Sequence, residues 1–157
     1  MHDYALLADG ERGALIGPDG ALSWLCAPTW HDDVVFASLI GARGAYAVTP
    51  RARYVPGGYY EEGTLIWRSR WVTTEGVIEC REALTFPGEP NRLILPRQLI
   101  AVDGPARVRV VLDPHADYGR APIASHTAAK TACGISTPGA TACAGRARPK
   151  PPPAQKA

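Results

Sequence analysis

The sequence predicts an all-β protein, an antiparallel β-sandwich with one short helix and a disordered C-terminal tail. Sixteen glycines and fifteen prolines separate short segments rich in Val, Ile, Leu, Trp and Tyr, which is the pattern of strands joined by turns. Some segments alternate apolar and polar residues, as strands with one buried face do. About eight or nine such strands with short connections bury their apolar faces most economically as two packed sheets.

The first elements are predicted to form a meander of two hairpins. Ala5–Ala8, Gly13–Ile16 and Ala21–Cys26 are short apolar runs, and the turns between them contain Asp9-Gly10 and Asp19-Gly20. Asp-Gly pairs supply the positive φ angles that tight hairpins require.

The one predicted helix follows this meander. Val34–Ile40 has the length of one or two helical turns, with Asp32 or Asp33 as the N-cap and Gly41 as the stop.

A long hairpin is predicted next, from Thr64–Thr73 and Val77–Phe86 around a Thr-Glu-Gly turn. Its alternation places Leu65, Ser69 and two tryptophans on one face. The face of Trp67 and Trp71 is a candidate for an exposed apolar patch that contacts a partner, and the edge formed by the last hairpin, Arg92–Leu112, is a second candidate.

A second hairpin is predicted from Arg92–Val102 and Arg107–Leu112 around Asp-Gly-Pro. The second run alternates, so Val108, Val110 and Leu112 are expected to face the core.

The chain divides at residue 120 into a sandwich domain, residues 1–120, and a tail, residues 121–157. The first part carries all fifteen acidic residues and twelve arginines, whereas the tail carries five basic residues and no acidic or aromatic ones. With Ile123 and Ile135 as its large aliphatic residues, the tail cannot offset ordering costs of roughly 1–2 kcal/mol per residue, and we expect it to be disordered. Its sparse charges without aromatic residues do not favour a nucleic-acid partner.

Composition also bears on location and cofactors. No apolar run approaches the roughly 20 residues of a membrane span, and the N-terminus lacks the pattern of a secretory signal, so a cytoplasmic protein without a membrane partner is predicted. The four cysteines show neither CxxC spacing nor a matching histidine pair, so no metal or other cofactor is predicted. Cys26 and Cys80 are expected in the core.

Three segments carry a family resemblance. Residues 3–41, DYALLADGERGALIGPDGALSWLCAPTWHDDVVFASLIG, resemble the start of the bacterial family 15 glycoside hydrolases, the glucoamylase and trehalase-like enzymes. TLIWRSRWVTTEGVIECREAL resembles the long hairpin of that family. RLILPRQLIAVDGPARVRVVLDPHADYGRAP is similar to its closing segment, with Asp-Pro-x-x-Asp-Tyr-Gly-Arg at 113–120.

The resemblance implies a supersandwich-like N-terminal domain, followed in the family by an (α/α)6 barrel in which two glutamates hydrolyse α-glucosidic bonds with inversion. No segment here has the helical periodicity of that barrel. The adjacent pairs Asp32–Asp33 and Glu61–Glu62 are not expected to act as acid and base, because neighbouring side chains commonly diverge. We therefore expect a non-catalytic domain or fragment with no catalytic residues, and the tail suggests a truncated or frameshifted gene.

The candidate site is the loop at residues 28–33, where the family's Pro-Arg-Phe-Asp is replaced by Pro-Thr-Trp-His-Asp-Asp. Pro28, Trp30, His31 and Asp32 are the candidates for a substrate or domain interface, with the barrel or an α-glucoside as partner. In the structural alternative, Trp30 fixes the loop onto the sandwich, His31 is solvated and Asp32 caps the helix. The rival function is a stand-alone carbohydrate-binding module in which Trp30 stacks on a sugar ring.

Overall fold

The computed structural model describes residues 4–86 and 92–122, which form two packed antiparallel sheets and a small ribbon. The six-stranded sheet contains β1 (Ala5–Ala8), β2 (Gly13–Ile16), β3 (Ala21–Cys26), β4 (Val34–Phe36), β5 (Ala45–Pro50) and β10 (Val108–Asp113). The four-stranded sheet contains β6 (Tyr54–Tyr60), β7 (Trp67–Thr73), β8 (Gly76–Glu82) and β9 (Arg97–Asp103). The ribbon pairs β11 (His115–Ala116) with β12 (Ala121–Pro122).

The strand order of the large sheet is β1-β2-β3-β5-β10, with β4 also paired to β3. The small sheet runs β6-β7-β8-β9 in chain order. The meander β1–β3 confirms the first prediction, and Gly10 and Gly20 have the positive φ angles of 95° and 76° that its turns require. At Gly20 a Cβ would also lie 2.3 Å from the carbonyl oxygen of Val48.

The core lies between the two sheets. Its members from the large sheet include Leu7, Ile16 and Leu22, and the segment before β9 contributes Leu93 and Leu95. Cys26 and Cys80 are buried, as predicted.

Trp71 is completely buried, so the prediction of an exposed Trp67 and Trp71 face is wrong. Its indole N–H donates to the carbonyl oxygen of Pro18 across the sandwich at 3.1 Å. Trp67 is half-buried and packs against the core. The long hairpin that carries both residues is confirmed as β7 and β8.

A buried ion pair in the small sheet also makes hydrogen bonds to the large-sheet side of the sandwich. The Arg97 guanidinium on β9 donates to the Glu82 carboxylate on β8, to the backbone oxygen of Tyr46 on β5 and to that of Gly20 in the turn before β3. Glu82 accepts a further hydrogen bond from Ser69 at 3.0 Å. Since a buried charge is tolerated only when it is paired and hydrogen-bonded, this network fixes how the two sheets face each other.

The predicted second hairpin does not form. β9 pairs with β8, whereas β10 pairs with β5, so the Asp103-Gly104-Pro105 connection crosses from one sheet to the other. The predicted burial of β10 is also wrong in part, because Val108 is half-buried but Val110 and Leu112 are 50% and 47% exposed.

The predicted helix at Val34–Ile40 is largely a strand and a short 3-10 turn. Val34–Phe36 forms β4 on the edge of β3, which suits the β-branched pair Val34-Val35. Ser38–Ile40 makes a single 3-10 turn that ends at Gly41 in the left-handed conformation, so only the predicted stop is confirmed.

The predicted tail begins at residue 121, and its first two residues form β12. Residues 123–157, on which the prediction of disorder and the frameshift hypothesis rest, lie outside the described residues.

The turn at 117–119, within the Asp-Tyr-Gly-Arg segment, has three successive residues with positive φ. Asp117 and Tyr118 have φ angles of 50° and 52°, and Gly119 has 84°. A Cβ on Gly119 would lie 2.5 Å from the backbone nitrogen of Arg43. Only glycine therefore fits where this turn meets the segment after the 3-10 turn.

Candidate functional site

The candidate loop at residues 28–33 connects β3 to β4 at one end of the large sheet. Its ends are held together by the amide of Ala27, which donates to the carbonyl oxygen of Asp33 at 3.2 Å. The Ala27–Pro28 peptide bond is cis. Pro28 is half-buried and His31 is exposed.

Asp32 organises the loop itself. Its carboxylate accepts hydrogen bonds from the hydroxyl and the amide of Thr29, at 2.5 and 2.9 Å. The Thr29 hydroxyl is the main cause that lowers the pKa of Asp32, because a hydrogen bond to the charged form favours that form. The prediction that Asp32 caps a helix is wrong, because the residues that follow form β4 and the 3-10 turn begins only at Ser38.

His31 lies beside the same hydroxyl. The two ring nitrogens of His31 are 3.3 and 3.4 Å from Thr29 Oγ1. The loop thus brings Thr29, His31 and Asp32 together in one small hydrogen-bonded group, apart from the aromatic side chain of Trp30.

Trp30 folds back over the sheet. Its ring lies so close to Gly13 on β2 that a Cβ at that position would be 1.9 Å from the ring carbon Cη2. Despite this contact, 49% of Trp30 is exposed. Gly13 therefore provides a flat backbone seat that lets the indole lie along the sheet with one side open.

Trp30 forms one wall of an apolar groove on the outer face of the large sheet. The groove has a volume of about 360 Å³ and is lined by Leu6, Gly13, Leu15, Trp24, Trp30, Leu39 and Ile40; we call it the Trp30 groove. Leu6, Leu15 and Trp24 occupy directly opposed positions on β1, β2 and β3. They form a row pointing away from the core, because their neighbours Leu7, Ala14 and Leu25 are buried.

The 3-10 turn closes the other side of the Trp30 groove. Leu39 and Ile40 are 37% and 59% exposed. Of the sequence-predicted site residues, only Trp30 lines the groove, and Pro28, His31 and Asp32 support the loop from which it projects. The other groove residues were not predicted, although the alternation in β1–β3 places apolar residues at outward-facing positions.

A second polar cluster lies on the outer face of the small sheet. Glu61 forms ion pairs with Arg68 and Arg81, at 2.7 and 2.6 Å, and Glu79 pairs with Arg68 and Arg70. The hydrogen bonds from Arg81 and then Arg68 lower the pKa of Glu61 to about 2. These carboxylates are fixed as ion-pair partners of arginine.

The described residues contain neither a metal-binding cluster nor a membrane-spanning helix. Within residues 4–86 and 92–122, no group of three His, Cys, Asp or Glu side chains could hold a metal ion. No helix in the described part of the chain is long and apolar enough to cross a membrane.

The two-sheet fold with an apolar, Trp-walled outer groove defines an all-β domain. The family described as trehalase-like, N-terminal matches residues 1–143 of the chain. The chain belongs to this family of trehalase-like N-terminal domains.

One curated relative is much longer than this chain. The chain is 36% identical over 86 residues to the trehalase of Mycobacterium tuberculosis (strain ATCC 25618 / H37Rv). The match covers 54% of this chain and 13% of that trehalase, so the chain spans only a small part of its relative's length. No solved structure matches the chain.

Proposed function

We propose that this chain is the non-catalytic N-terminal β-sandwich of a family 15 glycoside hydrolase, and that its Trp30 groove docks against the catalytic (α/α)6 barrel. The parent reaction is hydrolysis of α-glucosidic bonds, of the trehalase or glucoamylase type. The observation that carries the proposal is the groove itself, an apolar outer surface at one end of a sheet whose other face already covers the core.

The carboxylates support a non-catalytic role. An inverting glycosidase needs a general acid whose pKa is raised, across a sugar-sized gap from a general base. Here the pKa values of Asp32 and Glu61 are lowered, by Thr29 and by Arg81 with Arg68. Glu82 is buried against Arg97. Asp32 and Glu61 are therefore stabilised as carboxylates, which is the opposite of what a general acid requires.

The lining of the Trp30 groove supports docking to protein. A partner that fills an apolar groove removes its surface from water, and tryptophan is a preferred anchor residue in protein interfaces. The groove side chains are leucine, isoleucine and tryptophan, so they suit the apolar face of a helix better than a hydroxyl-rich ligand.

A carbohydrate-binding module is the second candidate, and the half-exposed ring of Trp30 is the observation that favours it. A sugar face can stack on such a ring. Its hydroxyls, however, need hydrogen-bonding side chains beside the aromatic platform, and the groove lining offers only the indole N–H groups of Trp24 and Trp30.

Calorimetric titration of the purified chain distinguishes the two candidates. The ligands are the mycobacterial trehalase lacking its matching region, then trehalose and maltose. We expect binding to the protein and none to the sugars, with Trp30→Asp abolishing the binding. Tyr59→Asp is the matched control, since Tyr59 is 46% exposed on the opposite sheet. Sugar binding that is lost in Trp30→Asp would instead establish the carbohydrate module, and binding to neither ligand would contradict both.

A further inference from the structure

β10 lies at the edge of the six-stranded sheet. It pairs with β5 along one side, in a register that runs from Val108 opposite Pro50 to Asp113 opposite Ala45. Among the residues that the structure describes, no strand pairs with its other side. The outward amide and carbonyl groups of β10 therefore form an open template for another strand.

The side chains of β10 are unusually apolar for such an edge. Val110 and Leu112 lie opposite Val48 and Tyr46, which are buried core residues of β5. Val110 and Leu112 are nevertheless 50% and 47% exposed. Both side chains lie on the core side of the large sheet, but the small sheet does not cover them.

The other face of β10 carries charges of both signs. Arg109, Val111 and Asp113 alternate with the apolar set, and both charged residues are exposed. Within the described residues, no carboxylate lies within 4.0 Å of the Arg109 guanidinium. Asp113 contacts His115, whose Nδ1 is 3.6 Å from the carboxylate, but 63% of the Asp113 side chain stays exposed.

We propose that β10 pairs antiparallel with β10 of a second copy of this chain, about a twofold axis at Val111. Opposed residues in an antiparallel pair share a face. This register places Val110 opposite Leu112 of the other copy and Arg109 opposite Asp113, and symmetry repeats each pair. The two six-stranded sheets thereby become one continuous sheet.

Charge complementarity favours a second copy of this chain as the partner and determines how the two β10 strands align. Arg109 and Asp113 are equally spaced on either side of Val111, so a second copy presents the opposite charge at each position. A shift by two residues in either direction puts Val111 against Arg109 or Asp113 instead. Past Asp113, Pro114 lacks an amide N–H and ends the ladder.

The test is sedimentation velocity on the full chain over a concentration series up to tens of micromolar. We expect a monomer–dimer equilibrium that Val110→Lys weakens by tenfold or more, because it places a lysine on the shared edge. Val72→Lys is the matched control: Val72 is 51% exposed, but it lies on β7 in the interior of the other sheet. That variant is expected to leave the equilibrium unchanged.

A charge exchange tests the register. Arg109→Asp and Asp113→Arg each put like charges in opposition, so each is expected to weaken the dimer, whereas the double variant is expected to restore it. A monomer at all concentrations, an assembly unaffected by Val110→Lys, or no restoration in the double variant would overturn the proposal. These outcomes leave the docking of the Trp30 groove untouched, since that groove is formed by β1–β3, the 28–33 loop and the 3-10 turn.

Discussion

The indole ring of Trp30 lies directly over Gly13, where an added Cβ would be 1.9 Å from the ring. This contact sets the position of the Trp30 groove, because it determines how the loop after β3 lies on the sheet.

The first prediction follows from that contact. Gly13→Ala must displace Trp30, and we expect a loss of about 1–3 kcal/mol in the free energy of unfolding, as for other overpacked positions. Urea unfolding measures the loss. Gly57→Ala is the control, since its Cβ would meet nothing nearer than the carbonyl oxygen of Arg70 at 3.8 Å. Equal effects of the two substitutions would show that Trp30 is not seated on Gly13.

The second prediction concerns the buried pair of Arg97 and Glu82. Arg97→Met leaves the Glu82 carboxylate without its partner in the core, which costs about 3–5 kcal/mol in comparable cases. Arg97→Met with Glu82→Leu is expected to recover most of that loss in chemical denaturation. Arg107→Met is the control, because it breaks an exposed pair with Glu75 worth about 1 kcal/mol or less. If the double variant were no more stable than Arg97→Met, the loss would have another cause.

The strand limits of the meander could be read from the sequence because Asp-Gly pairs mark its turns. The pairing of β9 and β10 could not, because alternation reports which residues share a face but not which sheet a strand joins. In the same way, the run Val34–Ile40 has the length of a short helix, but its first three residues form a strand because they pair with β3.

The candidate site was predicted in part for a similar reason. The sequence identified Trp30 as the aromatic residue of the loop. The row of Leu6, Leu15 and Trp24 depends on the cross-strand register, and the seat at Gly13 depends on a contact between distant residues. Neither is visible from local spacing. Asp32 was taken for a helix cap because an Asp before an apolar run is a common capping signal.

The third prediction is a pH dependence. The pKa of Glu61 falls from 4.5 to about 2 through its arginine partners. Its ionised form therefore stabilises the fold fully above pH 4.5, and this contribution is lost as the pH falls toward 2. Glu61→Gln should flatten the loss of thermal stability in this window. Glu62→Gln, at the exposed neighbouring position, should not; an identical acid profile for both variants would contradict the assignment.

The fourth prediction is the inactivity of the chain by itself. Purified residues 1–157 should release no glucose from trehalose, maltose or starch above a buffer control, because the pKa values of Asp32 and Glu61 are lowered, the opposite of what a general acid requires. Coupled glucose assays measure this directly. Turnover that persists through successive purification steps would contradict a non-catalytic domain.

The most direct measurement of the docking proposal is trehalose hydrolysis by a chimera. In it, residues 1–122 of this chain replace the matching region of the mycobacterial trehalase. We predict an active enzyme that retains activity with Tyr59→Asp and loses it by about tenfold or more with Trp30→Asp, as expected for a central aromatic anchor. Equal activity of the two variants would contradict docking through the Trp30 groove.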